Sequence, residues 1–309
     1  MRVNFRGLTQ REALLFKGTK RWAEFSPFVE YEDAEAANWL KAALSFANDS
    51  LPHLYRSAVP INATLPAVSI ESVEGVLAKF GSFSTVKIKV AEAGQSVEED
   101  LRRIREVARL YPEAKIRLDA NGGYTIEEVL ELAKRLEAID IDYLEQPVAT
   151  ITELAELKRR LTLLGLDFKI AADESIRKNS DPLEVARARA ADIAVLKVQP
   201  LGGISEALHV ASESGLDAVV SSAVETSIGI SQGLFLAGAL PTLNYDCGLG
   251  TISLLEGDIC ADSLIAKDGS IEIREVEPDP DLLLKYAASP DRTAWWLARL
   301  TRCLQLLEA

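Results

Sequence analysis

Two rhythms of apolar and polar residues divide the chain. Over residues 2–30 they alternate in short runs. Ala13-Leu14-Leu15-Phe16 and Trp22-Ala23-Glu24-Phe25 read as two strands joined by a hairpin-like turn at Lys17-Gly18-Thr19-Lys20, and Ser26-Pro27 ends the second. Residues 33–47 are alanine-rich, and Trp39, Leu40, Ala43, Leu44 and Ala47 fall on one helical face. Residues 1–56 are therefore expected to form the first part of a small α+β unit.

From residue 57 short β-branched runs alternate with amphipathic helical patterns. The strand candidates are 59–63, 86–90, 116–119, 141–145, 168–172, 193–198, 218–221 and 243–246. The helical stretches are 71–80, 96–110, 125–138, 151–164, 182–190, 203–214 and 226–239. Runs buried on both faces and separated by helices imply a parallel sheet. Eight strands of this spacing imply an α/β fold of the (β/α)7β kind, a TIM-like barrel over 57–250. An open doubly wound sheet is the runner-up, weakened because no Gly-x-Gly-x-x-Gly follows the first strand. No full eighth helix follows, and the segment 251–309, with Trp295 and Trp296, is expected to return onto the N-terminal unit and complete an α+β capping domain.

On that frame the strand ends carry charge. Strand two ends Lys87-Ile88-Lys89. Strand three ends at Asp119, in Asp119-Ala120-Asn121-Gly122. Strand four ends Glu145-Gln146-Pro147, strand five leads into Asp173-Glu174-Ser175, and strand six carries Lys197. Asp119, Glu145 and Asp173 recur at one βα interval, which sets them at one level on the C-terminal face, where barrel chemistry sits. Alone, Asp-Ala-Asn-Gly could be a tight turn, and each acid could cap the helix that follows it. Three together, with lysines on strands two and six, favour a hard cation held by oxygen, with Mg²⁺ fitting best. Lys87 and Lys89 are two apart and share the cavity side. Like charge and desolvation lower a lysine pKa and make Lys89 or Lys197 able to act as a base. Alternatively the lysines, Lys87 above all, only neutralise the acids.

Composition narrows the partners. Acidic residues number 47 against 34 basic ones, a net charge of −13, which disfavours nucleic acid. No apolar run approaches a membrane span, and the first residues lack the apolar core of a signal peptide. Cys247, Cys260 and Cys303 form neither a close pair nor a metal-type spacing, which suits a reduced, cytoplasmic protein. His209 falls mid-helix as a packed or surface residue. Gly202 and Gly203 could bind an anion through backbone N–H at a helix start, or form a turn. Ser221 and Ser222 could touch substrate, or serve as caps. The expected partner is a small carboxylate; the oligomeric state is not legible.

As a set, Lys87-Ile88-Lys89, Asp119-Ala120-Asn121-Gly122, Leu144-Glu145-Gln146-Pro147, Ala172-Asp173-Glu174-Ser175 and Leu196-Lys197-Val198 resemble the enolase superfamily, muconate-lactonizing subgroup. The resemblance implies Asp119, Glu145 and Asp173 as ligands of Mg²⁺, with Mn²⁺ able to replace it. It implies Lys89 and Lys197 on opposite faces of the substrate, with Lys87, Asn121 and Glu174 supporting. A histidine-based branch is excluded, since no His lies at the end of strand seven. A finer resemblance, to the o-succinylbenzoate synthase family of menaquinone biosynthesis, rests on Phe5-Arg6-Gly7, residues 22–28, residues 59–64 and residues 221–226. It implies a metal-dependent lyase that dehydrates its substrate. The rival within the fold is the N-acylamino acid racemase and dipeptide epimerase group, which uses the same two lysines. A non-catalytic metal-dependent binding protein is disfavoured because both lysines are retained.

Overall fold

The computed structural model describes residues 1–5, 7–136 and 139–308. The hairpin forms as read: β1 (Leu14–Lys17) pairs antiparallel with β2 (Trp22–Phe25), and α1 (Asp33–Asn48) follows. Next come β3 (Ala58–Pro60), β4 (Ala63–Leu65), α2 (Val73–Leu77), β5 (Thr85–Lys89), α3 (Val97–Leu110), β6 (Lys115–Asp119) and α4 (Ile126–Arg135). Then follow β7 (Ile141–Glu145), α5 (Ile151–Leu163), β8 (Ile170–Ala172), α6 (Glu174–Arg177), α7 (Glu184–Arg187) and β9 (Ile193–Leu196). The series ends with α8 (Val198–Leu201), α9 (Ile204–Ser214), β10 (Asp217–Val220), α10 (Ser227–Ala239), β11 (Ser270–Glu272), α11 (Pro280–Lys285) and α12 (Pro290–Glu308). Of the expected helix over 125–138, Glu137 and Ala138 lie outside the described residues.

Strands β4 to β10 form one parallel seven-stranded sheet in chain order. Of the helices between them, α3, α4 and α5 start cleanly because Ser96, Thr125 and Thr150 each close a capping box with a glutamate three residues on.

Two expected strands differ. The first, 59–63, is split. Pro60 cannot donate to a ladder; Ala58–Pro60 pairs outward with Ser270–Glu272, and the parallel sheet begins only at Ala63. The eighth, 243–246, is not a strand. Asp246 spends its carboxylate on the Ser84 and Thr85 hydroxyls, both at 2.6 Å, and its carbonyl on Arg117 at 2.5 Å. Closure falls to single parallel bridges, Ile61 to Cys247 and Ser221 to Gly248. The ring is thus seven strands sealed by two residues. Strand six also stops one residue before Lys197.

Below the mouth the barrel is filled by Tyr143, Ala171, Ile193, Val195, Val219 and Tyr245. Arg117 shares this interior: it is 1% exposed, bonds Asp142 at 2.7 Å, and lies against the rings of Tyr143 and Tyr245 at 4.7 and 5.6 Å. Residues from the two ends of the chain are in contact. Trp296 packs edge-on against Phe25 at 5.8 Å and donates to Glu12 at 2.6 Å, while Arg302 of α12 bonds Asp33 of α1 at 2.5 Å. No helix among the described residues is long and apolar enough to cross a membrane.

The hairpin is also fastened to the barrel. Glu24, fully buried, accepts from the N–H of Thr226 at 3.1 Å and of Gly229 at 3.0 Å, so a β2 carboxylate caps α10. Gly229 is required there, since a Cβ would fall 2.9 Å from the Glu24 carboxyl carbon. Burial, and then the charge of Glu225, push the Glu24 carboxyl up to about 7. A raised folded-state pKa means the native protein holds this proton where the unfolded chain has lost it. The resulting stabilisation is complete below the unfolded value and is lost as pH rises towards 7. Glu24→Gln, which keeps the acceptor and removes the titration, should therefore gain on wild type as pH rises, by up to about 3 kcal/mol. Urea unfolding of both proteins at pH 5 and pH 8 checks it; a wild-type-to-variant difference that is equal at the two pH values would refute the assignment.

Candidate active site

The site grows from the sheet register. Lys89 stands opposite Asp119, and Asp119 opposite Glu145. Glu145 stands opposite Ala171, so Asp173 lies two residues further along β8's direction. The carboxylates are thus staggered, not level as the spacing suggests, because strands in a barrel are sheared against one another. Side-chain period two still turns Lys87, Lys89, Arg117, Asp119 and Glu145 inward.

Asp119, Glu145 and Asp173 are each at most 1% exposed. None caps the helix that follows: threonines do so after the first two, and Asp173, at the N-cap position of α6, makes no side-chain cap bond. Ammonium groups stand among them instead. Lys87 Nζ lies 3.1 Å from both oxygens of Glu145, 3.5 Å from Asp119 and 3.4 Å from Ser221 Oγ. Lys89 Nζ donates to Asp119 and, at 2.9 Å, to Asn121 Oδ1. Lys197 Nζ donates to Asp173 at 2.6 Å.

The electrostatics follow from this order. Burial opposes the charge on Asp119, but Lys89 and Lys87 outweigh it and hold the carboxyl well below the usual range. Burial likewise opposes Asp173, and Lys197 with Arg177 holds it at about 2. Glu145 is the least compensated: burial, then Asp119, raise it to about 7. Burial works against Lys87 too, but Glu145 and Asp119 keep it above the ordinary lysine range. Lys89 goes the other way. Burial, with Lys87 and Lys197 near, lowers it despite Asp119.

These groups open on a cavity of about 670 Å³ lined by Lys87, Lys89, Asn121, Glu174, Lys197, Ser221 and Ser222, together with Phe5, Phe28, Tyr31, Arg177 and Val224. Asn121 Nδ2 donates to Glu174 at 3.0 Å. Ser222 donates to Gly248 O at 2.7 Å and is 2.9 Å from the Thr251 hydroxyl. Gly202 and Gly203 lie outside this lining, towards Lys41 and Ala42 of α1 and the Glu206 carboxylate. His209 is exposed on α9.

Sequence reasoning did not single out Arg177 or Gln146. Arg177 bonds Asp173 at 3.1 Å, Glu174 at 2.7 Å and the Tyr31 hydroxyl at 3.2 Å. Its position four residues after Asp173 was the available signal. Gln146 Oε1 accepts from the N–H groups of Asp173 and Ser175, both at 3.1 Å, and so fixes where Asp173 begins.

Among the described residues no three His, Cys, Asp or Glu side chains are grouped to enclose a cation as they stand. The donor set nevertheless fits a hard divalent ion: three buried carboxylates on neighbouring strand ends, and beside them Glu174 Oε2, buried without a hydrogen-bond partner.

Comparison with known proteins shows the family of the chain. Residues 69–279 match the Enolase C-terminal domain-like family model and residues 1–47 the Enolase N-terminal domain-like one. The o-succinylbenzoate synthase of Mycobacterium tuberculosis (strain H37Rv) is 48% identical over 99% of this chain and 92% of its own length. That of Mycolicibacterium smegmatis is 48% identical over 99% of this chain and 94% of its own length. Among solved structures, muconate lactonizing enzyme from Pseudomonas fluorescens complexed with muconolactone superposes with a TM-score of 0.71 at 22% identity, covering 84% of this chain and 74% of that one. The muconate lactonizing enzyme from Pseudomonas putida gives 0.72 at 18% identity, covering 90% and 99%. These two share the fold. The chain belongs to the enolase superfamily, and within it to the family of the o-succinylbenzoate synthases.

Proposed function

We propose that this chain is an o-succinylbenzoate synthase: a metal-dependent lyase that removes water from 2-succinyl-6-hydroxy-2,4-cyclohexadiene-1-carboxylate in menaquinone biosynthesis. The observation that carries the reading is the whole-length likeness to such synthases, with both lysines kept on one cavity. Asp119, Glu145 and Asp173 are read as the ligands of a divalent cation, Mg²⁺ by preference and Mn²⁺ as its substitute, with Asn121 and Glu174 supporting. When bound, such an ion polarises the substrate carboxylate and stabilises the charge that develops there.

Lys89, with its pKa lowered, takes the proton from the ring carbon bearing the carboxylate. The C–H electrons become the new ring double bond as the C–O bond to the neighbouring hydroxyl breaks. The Lys89 ammonium returns its proton to that oxygen on the same face; water leaves, the ring is aromatic, and Lys89 is neutral again. Lys197 stays charged and favours the electron-rich ring as a cation–π partner. Ser221 and Ser222, and with them Gly202 and Gly203 by their earlier reading, are candidates for substrate contact; only the serines line the cavity.

The domain reading is that residues 57–250 form the catalytic barrel, with 1–56 and 251–309 joined as one capping unit. The contact of Trp296 with Phe25 supports it. Three buried, unpaired cysteines support a cytoplasmic location.

Removal of the metal should abolish dehydration, and Mg²⁺ or Mn²⁺ should restore it. Full turnover in chelator, with the protein metal-free by elemental analysis, would sink the metal reading.

Lys89→Ala should lose more than a hundredfold in rate, as removal of a general base does, while still binding Mn²⁺ as read by electron paramagnetic resonance. A rate within tenfold of wild type would mean Lys89 is not the base.

Lys197→Arg keeps a fixed charge that cannot titrate. It should retain on the order of a hundredth or more of the dehydration rate, with Lys197→Ala worse. Any racemization of N-succinyl amino acids should disappear in the arginine variant, with α-proton exchange in D₂O surviving for one enantiomer only. Loss of exchange on both enantiomers, with dehydration also gone, would contradict these roles.

A further inference from the structure

Val224 has a left-handed backbone, φ 63°. For a β-branched residue that conformation is strained by on the order of 1–3 kcal/mol. Val224 lies on the turn between β10 and α10, and with Ala223 it forms part of the cavity wall. Such strain persists only where the surroundings impose it.

Here it is imposed from behind the wall, by a residue from the start of the chain. Arg11 Nε donates to Ala223 O at 3.2 Å, Nη1 to Glu12 O at 2.9 Å, and Nη2 to Ser26 O. The same guanidinium lies 4.7 Å from the ring centroid of Phe28, a second element of the wall. Glu225 turns back to accept the Ala223 N–H at 2.6 Å, so both backbone groups of Ala223 are held. Glu24 and Glu225, both buried, oppose the cost of burying the guanidinium charge. A planar fork with five donors can serve three segments and stack on a ring at once, whereas a lysine cannot.

We infer that Arg11 is a positioning residue for substrate binding: it holds the strained Ala223–Val224 turn in the shape against which the substrate packs. Arg11 is not among the residues that line the cavity, so it acts through the turn and the effect falls on binding. For its substrate the inference rests on the dehydration reading above.

The test compares Arg11→Met, Val224→Gly and the double variant. Glycine adopts φ 63° without strain but leaves the turn free to move. Arg11→Met should raise KM for the dehydration substrate, and the calorimetric Kd of the product o-succinylbenzoate, roughly tenfold, with kcat within about threefold of wild type. Val224→Gly should shift both in the same direction, and the double variant should be no worse than the worse single one, because both act through one turn. KM is independent of the fraction of protein folded, so a purely structural role would lower the melting temperature and leave KM alone; that result overturns the inference. So does a double variant whose KM effects multiply. If Arg11→Met does not fold, Val224→Gly decides: a KM within about twofold of wild type overturns it. Amide hydrogen exchange separates this inference from the functional reading. Peptides spanning 221–227 should exchange faster in Arg11→Met, or in Arg11→Lys if the former is insoluble, with the other barrel strands unchanged. That loosening in a chain whose wild type fails to dehydrate the substrate would refute the reading and keep the positioning role; unchanged exchange refutes the positioning role.

Discussion

Three carboxylates can be buried at one barrel mouth only because ammonium groups are buried among them. Removing a carboxylate from water costs several kcal/mol, and an unpaired one costs the most. Lys87 and Lys89 from β5, and Lys197 beyond β9, bring the opposing charge from strands on either side of β6 to β8. The balance is uneven. Asp119 is doubly paired and stays ionised, whereas Glu145 shares one lysine with it and is pushed up to about 7. The result is a mouth in which each group's protonation depends on its neighbours, so a cation or a substrate anion entering it redistributes charge over the whole cluster.

The period of the strands and the spacing of their charged ends made the barrel and its central residues legible in the sequence. Lys87 and Lys89 share a face because side chains alternate, a property of any strand. What sequence did not carry was register. Shear moves Asp173 along relative to Glu145, and no local pattern encodes it. Nor did it show which apparent strands would find ladder partners. The run at 243–246 looks like a strand, but Asp246 and its neighbours are claimed by Arg117, Ser84 and Thr85 from distant positions.

The same limit explains the residues that were missed. Gln146 and Arg11 act on backbone groups, which any residue supplies, so their partners leave no signature in composition. Arg11 works across more than two thirds of the chain. Of the stretches behind the finer resemblance, Arg6 lies outside the described residues. Two of the other three, residues 22–28 and 221–226, meet in space through Glu24 and Thr226. A likeness spread over two distant stretches is thereby one piece of structure.

The seal of the barrel by Cys247 and Gly248 alone has a consequence for how the chain folds. Ile61 cannot be joined to its neighbour until nearly the whole of the intervening chain has been made, and α1 must wait longer still for α12. Contacts of such separation carry a large closure entropy before they return any energy, which slows folding. On the ribosome the nascent sheet therefore exposes β4 as an unpaired edge for most of synthesis. That edge is three residues long, and Pro60, three residues before it, offers no N–H to a passing strand. Brevity and a proline close by limit misassociation during the interval when the ring is still open.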